Sequence, residues 1–167
     1  MPGLYRDNDF KDNCGFGLIT NRYGVKSHAV ITKSISALKS MTHRGGIGAD
    51  GKTGDGCGLL FNLDHEFYRN TIKLEQKINL PSHFAITQLF IQKPIKELLP
   101  KINKILKNEN LQLEAVRLVP VNKKILGSIA SACLPEIYQL FISGIEKSLD
   151  IDLFESSLLQ ARKFIEE

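Results

Sequence analysis

The chain has 167 residues, of which 43% are hydrophobic and 24% are charged, and its formal net charge is +4. This length is typical of about one domain, and the composition supports a buried core, which excludes an intrinsically disordered chain. No run of 18 apolar residues predicts a membrane span, and residues 1–13 lack the apolar segment of a secretory signal. We therefore expect a cytoplasmic protein that does not act at a membrane.

The positive charge is densest between Lys93 and Lys124, where eight Lys or Arg residues occur with three Glu. A nucleic-acid-binding segment would be expected to carry aromatic side chains that stack on bases. This window contains no Phe, Tyr or Trp. We interpret it as a solvated helix face and expect no nucleic-acid partner.

The three cysteines, Cys14, Cys57 and Cys133, are odd in number and widely spaced, and no histidine lies at metal-ligand spacing from them. This pattern favours free thiols in a reducing compartment over a disulfide framework, and it predicts no metal site. We interpret Cys57 and Cys133 as core thiols.

Apolar and helical patterns predict alternating strands and helices after a polar tail of residues 1–13. Strands are predicted over residues 14–20, 59–63, 84–92, 111–121 and 137–142. Helices are predicted from a Ser27 cap to about Met41, from an Asp64 cap onward, over residues 94–107 and 125–133, and from an Asp152 cap to Glu167. In the first helix, Ile31, Ile35 and Leu38 are expected to face the core. In the third, Pro100 is expected to shorten or kink the helix, and the predicted apolar side consists of Leu98, Ile102, Ile105 and Leu106. The order lacks a regular βαβ rhythm, so we expect an undivided α+β layered domain.

Seven of the 13 glycines lie between Gly45 and Gly58, and residues 46–53 match the phosphate-loop pattern G-x-x-x-x-G-K-[ST]. A phosphate loop needs a strand before it and a helix directly after the Lys-[ST] pair. Here a predicted helix precedes the loop, and Gly-Asp-Gly-Cys-Gly follows Thr53. Nucleotide binding is therefore a minor alternative. A tight backbone beside a reacting group, or a flexible surface loop, explains the glycines more simply.

Cys14 stands in the segment DNCGFGLI and is followed by SHAVITKSISALKSMTHRGGIGADGKTGDGCGLLF. These residues resemble the start of a class II glutamine amidotransferase domain, as found in the large subunits of glutamate synthases. The later segments RLVPVNKKILG, PEIYQLFI and FESSLLQARKFIEE resemble the same family in the same order. The resemblance covers residues 12–167.

The resemblance implies an N-terminal nucleophile hydrolase with an αββα layered sandwich, of which this chain is the N-terminal part. In that family a leader, here Met1–Asn13, is removed, and the exposed Cys14 supplies both nucleophile and base. A thiol with a pKa of ~8.5 and an α-amine with a pKa of ~7.7–8.0 suit these roles near neutral pH. The residues alone leave a second interpretation of Cys14 open, a small buried hydrophobe at the start of a strand.

The resemblance also assigns Arg44, in the HRG triplet, to a position near the nucleophile where an arginine organises the substrate pocket. The alternative is a surface arginine or a charge at the helix C-terminus. Asp55 and the TGDG segment are expected to be structural, and His43 is expected to be a packing or helix-end residue.

The family holds the carboxylate of glutamine with a later arginine and the oxyanion with a later Asn-Gly pair. The sequence contains neither an H-N-G nor a Q-R-F-S-T-like segment. Because one oxyanion donor is typically worth about 10²–10³ in rate, we expect the isolated 167 residues to be an incomplete and inactive portion.

For the full-length family protein, the resemblance implies glutamine hydrolysis that feeds ammonia to glutamate synthesis from 2-oxoglutarate. FMN and an iron–sulfur cluster are then expected in other parts of the protein, with no cofactor in this segment. The expected partners are glutamine and the remainder of the synthase chain or its companion subunit. The alternative is a non-catalytic remnant that serves as a scaffold for a partner chain.

Overall fold

A computed structural model describes residues 15–41, 45–146 and 150–166. In these ranges the helices and strands, in chain order, are α1 (His28–Ser40), α2 (His65–Gln76), β1 (Ala85–Ile91), α3 (Ile95–Asn108), β2 (Leu111–Leu118), a 3₁₀ helix (Lys123–Ile125), α4 (Ser128–Ala132), β3 (Glu136–Gly144) and α5 (Ile151–Glu166). The predicted α+β class is confirmed. Among the helices of these ranges, none is long and apolar enough to cross a membrane.

The chain separates into two compact units. Unit 1 comprises Met1–Asn62 and Ile125–Ala132, and unit 2 comprises Leu63–Lys124 and Cys133–Glu167. Unit 1 therefore contains α1, α4 and the glycine-rich loop, which we define as residues 45–58. Unit 2 contains the three strands together with α2, α3 and α5.

The sheet of unit 2 is antiparallel, and β3 is its central strand in the order β1-β3-β2. Successive strand residues point to opposite faces, so β3 contributes to two separate cores. Leu140 and Ile142 lie in the core on one face, and Phe141 lies in the core on the other. All three side chains are buried, which makes β3 the element on which both cores depend.

Helices α3 and α5 cover the Leu140 face. Ile102 and Leu106 of α3 and Ala161 of α5 are buried against it. Ile102 and Leu106 are one turn apart on α3, and Ala161 lies on the same side of α5 as the partly buried Phe154, Leu158 and Ile165. The predicted apolar side of α3 is confirmed, whereas the expected shortening at Pro100 is wrong, because the helix continues through it to Asn108.

Helix α2 covers the Phe141 face. Its N-cap is Asp64, as predicted, and the Asp64 carboxylate accepts hydrogen bonds of 3.1 Å from the amides of Glu66 and Phe67. Two turns along the helix, Ile72 is buried in the core of Phe141. The cap thus fixes where the helix starts, and the start determines which side chains reach the sheet.

A register shift between Leu113 and Ala115 changes which β2 side chains face which core. Leu111 and Leu113 pack on the α3 side, whereas Ala115 packs on the α2 side. The extra residue of this bulge is Glu114, and its carboxylate accepts a 2.5 Å hydrogen bond from the Ser143 hydroxyl. The bulge thereby gives a buried serine of β3 a polar partner.

Two predicted strands are wrong in the parts that the structure describes. Residues 15–20 and 59–63 carry no strand assignment there. Most of their apolar side chains are exposed, with Phe16 at 90%, Leu18 at 87% and Leu60 at about 100%. An extended segment forms a β-strand only when a neighbour pairs with its backbone, and strand composition alone does not supply that neighbour.

The remaining differences concern helices. Ser27 caps α1 as predicted. Of the three residues expected to face the core, Ile31 and Leu38 are half-buried, whereas Ile35 is 41% exposed, so that expectation is wrong for Ile35. Helix α5 starts before the predicted cap Asp152, whose amide donates to the carboxylate of Asp150. The helix predicted over residues 125–133 is instead the 3₁₀ helix followed by α4.

We predict that Phe141→Ala lowers the free energy of unfolding by about 3–5 kcal/mol, because it leaves a cavity in a fully buried site. Phe90→Ala is the matched control, since Phe90 lies on the neighbouring strand β1 with 61% of its surface exposed. It should change stability by no more than about 1 kcal/mol. Urea unfolding followed by circular dichroism measures both values, and equal losses would contradict the described core.

Candidate active site

The predicted site residues Cys14 and Arg44 lie outside the described residues, as do His43 and the leader Met1–Asn13. The described chain resumes directly after each of the two site residues, at Gly15 and at Gly45. The structure of unit 1 therefore shows the backbone that follows Cys14 and the backbone that follows Arg44.

The segment after Cys14 passes beside the end of α1. A Cβ atom built on Gly17 would lie 3.7 Å from Cε of Met41, which is the C-cap residue of α1. Gly17 is three residues after Cys14, and Met41 is three residues before Arg44. Unit 1 thus brings together two backbone segments that lead to the two predicted site residues.

The glycine-rich loop is closed by backbone hydrogen bonds. Ile47 and Gly54 form an antiparallel bridge, and the Gly48 amide donates to the Thr53 carbonyl at 2.6 Å. At the tip, Gly51 has a φ of 69°, a left-handed conformation that glycine adopts at little cost. These bonds give the loop the geometry of a specific turn.

Asp55 supports the base of this loop, in agreement with its expected structural role. Its carboxylate accepts a 2.6 Å hydrogen bond from the amide of Gly46. That bond ties the two ends of the loop together, one residue outside the Ile47–Gly54 bridge on each side.

Asp50 connects the loop to α4. One carboxylate oxygen accepts from the amides of Lys52 and Thr53, at 3.1 and 2.8 Å. The other accepts from the Thr53 hydroxyl at 2.6 Å and from the Ile129 amide at 3.1 Å. Thr53 Oγ1 in turn accepts from the amide of Ala130 at 3.2 Å. Two side chains of the loop thereby satisfy amides at the start of a helix far along the chain.

These contacts stabilise the ionised form of Asp50. The hydrogen bond from the Thr53 hydroxyl, followed by those from the amides of Thr53, Ile129 and Lys52, lowers the pKa of the Asp50 carboxyl well below its ordinary value of 3.8. Hydrogen bonds donated to a carboxylate favour its charged form. Asp50 is therefore an anion at every pH at which the chain is expected to work.

The loop does not have the architecture of a phosphate-binding loop. No helix follows Thr53 until α2 begins at His65. The amides of Lys52 and Thr53 donate to Asp50, which places a carboxylate where a phosphate would have to bind. The match to the phosphate-loop pattern is thus explained by glycine density and by an Asp-centred turn.

The structure differs from the sequence-based expectations in two respects. Cys57 and Cys133 are exposed, so their interpretation as core thiols is wrong. The sequence interpretation also did not single out Asp50 or its partners. The Asp-Gly pair at residues 50–51 is a recognisable turn signal, but no local pattern indicates a contact 79 residues away.

Comparisons with known proteins agree with the resemblance in the sequence. The family "Glutamine amidotransferases class-II" matches residues 14–167. The chain therefore belongs to the class II glutamine amidotransferases.

Within that family, the chain is similar to glutamate synthases. It is 36% identical over 82% of its length to the glutamate synthase [NADH] of Saccharomyces cerevisiae. It is 32% identical over 96% of its length to the glutamate synthase [NADPH] large chain of Bacillus subtilis, and 34% identical over 92% to the ferredoxin-dependent glutamate synthase 1 of Arabidopsis thaliana. The chain spans 7%, 11% and 10% of these relatives, respectively. It corresponds to a glutamine amidotransferase domain of a glutamate synthase.

We predict that Asp50→Asn lowers the stability of the chain at neutral pH, and that this loss shrinks as the pH falls below about 4. The folded-state pKa of Asp50 lies below its unfolded value, so its ionised form stabilises the fold above pH 3.8 and this contribution is lost on acidification. Asn keeps one oxygen acceptor and replaces the other with an NH₂ donor, so only the pH-dependent part of the stability difference reports the charge. Urea unfolding of both proteins from pH 7 to pH 2.5 measures the difference, and a difference that grows on acidification would contradict the assignment.

Proposed function

We propose that this chain is the nucleophile-bearing portion of a glutaminase domain that releases ammonia from glutamine for glutamate synthesis from 2-oxoglutarate. The family match, which starts at Cys14, is the observation that carries the proposal. The similarity to three glutamate synthases, each named for a different electron donor, supports the wider reaction.

In the proposed reaction, Cys14 is the N-terminal residue after removal of Met1–Asn13. Its α-amine accepts the thiol proton, and the thiolate attacks the carboxamide carbon of glutamine. The tetrahedral intermediate collapses by expelling ammonia, which takes up the proton from the α-amine, and leaves a thioester on Cys14. Water then hydrolyses the thioester to glutamate and regenerates the thiol. An internal cysteine has an amide nitrogen that cannot accept a proton, so removal of the leader is part of this mechanism.

The geometry of unit 1 supports the pairing of Cys14 with Arg44. The chain after Cys14 and the chain before Arg44 approach each other at Gly17 and Met41. Residue 45 then starts the ordered loop that Asp55 and Asp50 hold in place. We propose that Arg44 organises the glutamine pocket from this position, as the resemblance implies.

The FMN and the iron–sulfur cluster that the resemblance implies are proposed to lie outside this segment. An iron–sulfur cluster takes clustered thiolate ligands, and the three cysteines here are widely separated in sequence. The residues present therefore do not fit a cluster. No step of the glutaminase reaction described above uses the cluster or FMN.

Exposed apolar side chains in unit 1 support a polypeptide partner. Phe16, Leu18 and Leu60 are almost fully exposed, although their residue types are usually buried. We propose that the remainder of the synthase chain, or its companion subunit, covers them. The same observation is compatible with the second candidate, a non-catalytic scaffold, and the two candidates differ in whether the leader is removed.

We predict that the purified 167-residue polypeptide releases no measurable ammonia from glutamine. A longer product, which adds the sequence encoded directly after Glu167, should hydrolyse glutamine if it contains an H-N-G-like oxyanion segment. In that product Cys14→Ala should abolish hydrolysis, whereas Cys57→Ala, which removes an exposed thiol of the same unit, should preserve it. A coupled ammonia assay measures all four proteins.

Two results of this assay would contradict the proposal. Glutamine hydrolysis by the 167-residue polypeptide that depends on Cys14 would overturn the claim that this portion is inactive alone. Hydrolysis by the longer product that survives Cys14→Ala would overturn the assignment of the nucleophile.

A further inference from the structure

We propose that Asp50 and Thr53 form a latch that couples the glycine-rich loop to residues 127–130, so that both segments open and close as one element. The latch consists of these two side chains, Gly127 and the amides of Ile129 and Ala130, all within unit 1. This coupling is a property of the fold and does not depend on the glutaminase assignment.

The latch has two arms, which are the glycine-rich loop and residues 127–130. The first argument is that each arm depends on hydrogen bonds to the other. Helix α4 has only five residues, which is too short to be stable through its own hydrogen bonds. The amides of Ile129 and Ala130, at its first turn, find their acceptors on Asp50 and Thr53 of the loop. The same Asp50 carboxylate accepts from two amides of its own turn, so one group caps the helix and shapes the loop.

The second argument is independent and comes from Gly127. This glycine is buried, and a Cβ atom at its position would lie 2.5 Å from Thr53 Oγ1 and 2.8 Å from Asp50 Cγ. Cβ atoms do not approach other atoms this closely in folded proteins. The backbone at residue 127 is thus packed directly against the two latch side chains, and only glycine permits that approach.

The third argument is the charge of Asp50. Hydrogen bonds to an ionised acceptor are stronger than those to a neutral one, and the carboxylate here has donors on both arms. Separation of the arms would leave the Ile129 amide without this acceptor and would remove a donor from the carboxylate. Because the two arms share these hydrogen bonds, a change in either arm must affect the other.

The latch also has a consequence for chemistry, which rests on the proposed function. In the sequence the loop begins directly after Arg44, so the latch holds the backbone that follows the proposed pocket arginine. The connection between β2 and β3, which carries residues 127–130, would then influence the glutamine pocket without contacting the substrate.

Amide hydrogen exchange of the full chain tests the coupling, because it reports each arm separately and needs no activity. We expect Asp50→Ala to accelerate exchange of the Ile129 and Ala130 amides by roughly tenfold or more, the effect of losing a charge-assisted hydrogen bond. We expect Gly127→Ala to accelerate exchange at Lys52 and Thr53, in the opposite arm. Asp55→Ala is the matched control, since its bond to Gly46 stays within the loop, and it should leave Ile129 and Ala130 unchanged. The Phe141 amide in the sheet of unit 2 should stay protected in all three variants.

The proposal is overturned if Asp50→Ala leaves both α4 amides protected, or if Gly127→Ala leaves Lys52 and Thr53 unchanged. If these variants also lose protection at Phe141, two milder substitutions at Thr53 test the proposal instead. Thr53→Val keeps the shape of the side chain without its hydroxyl, and Thr53→Ser keeps the hydroxyl. Faster Ala130 exchange in the valine variant, restored by serine, supports the latch, whereas equal exchange in both contradicts it.

Discussion

The burial of β3 on both of its faces is the constraint on which unit 2 depends. Leu140 and Ile142 point toward α3 and α5, and Phe141 points toward α2. Since side chains alternate along a strand, a shift of β3 by one residue would exchange the two cores. The bulge at Glu114 then adjusts β2 to the same two faces, and the Asp64 cap sets where α2 meets the sheet. Each of these elements is positioned by its contact with β3.

Unit 1 is stabilised in a different way. Among its described residues, in the ranges 15–41, 45–62 and 125–132, no apolar side chain is fully buried. Its order comes instead from hydrogen bonds that Asp50, Thr53 and Asp55 make to backbone amides. Such a network holds a loop in a specific geometry and leaves apolar groups available for further polypeptide. This combination suits a segment that supplies one side of an active site.

How far the sequence predicts this structure depends on how local each determinant is. The caps at Ser27 and Asp64, the apolar side of α3 and the strand β1 are local patterns, and the structure confirms them. The strands expected over residues 14–20 and 59–63 had suitable composition, but a strand also needs a pairing neighbour, which composition does not specify. The role of Asp50 depends on a helix 79 residues away, and no pattern near Asp50 encodes that contact.

The family and the roles of individual residues rest on different kinds of evidence. The family follows from several segments in the right order, and the match over residues 14–167 confirms it. The roles of Cys14 and Arg44 rest on the family pattern and on the approach of their flanking segments at Gly17 and Met41. The remaining claim is chemical, namely that one residue provides both a sulfur nucleophile and a basic nitrogen.

Intact-mass spectrometry of the chain, expressed with its own first 13 residues, tests that claim most directly. The proposed mechanism predicts a mature polypeptide that starts at Cys14 and carries a free α-amine, and a Cys14→Ala variant reports whether the trimming depends on the thiol. Retention of Met1–Asn13 in the mature protein would leave the thiol without its base. That result would contradict a working nucleophile and would favour the scaffold.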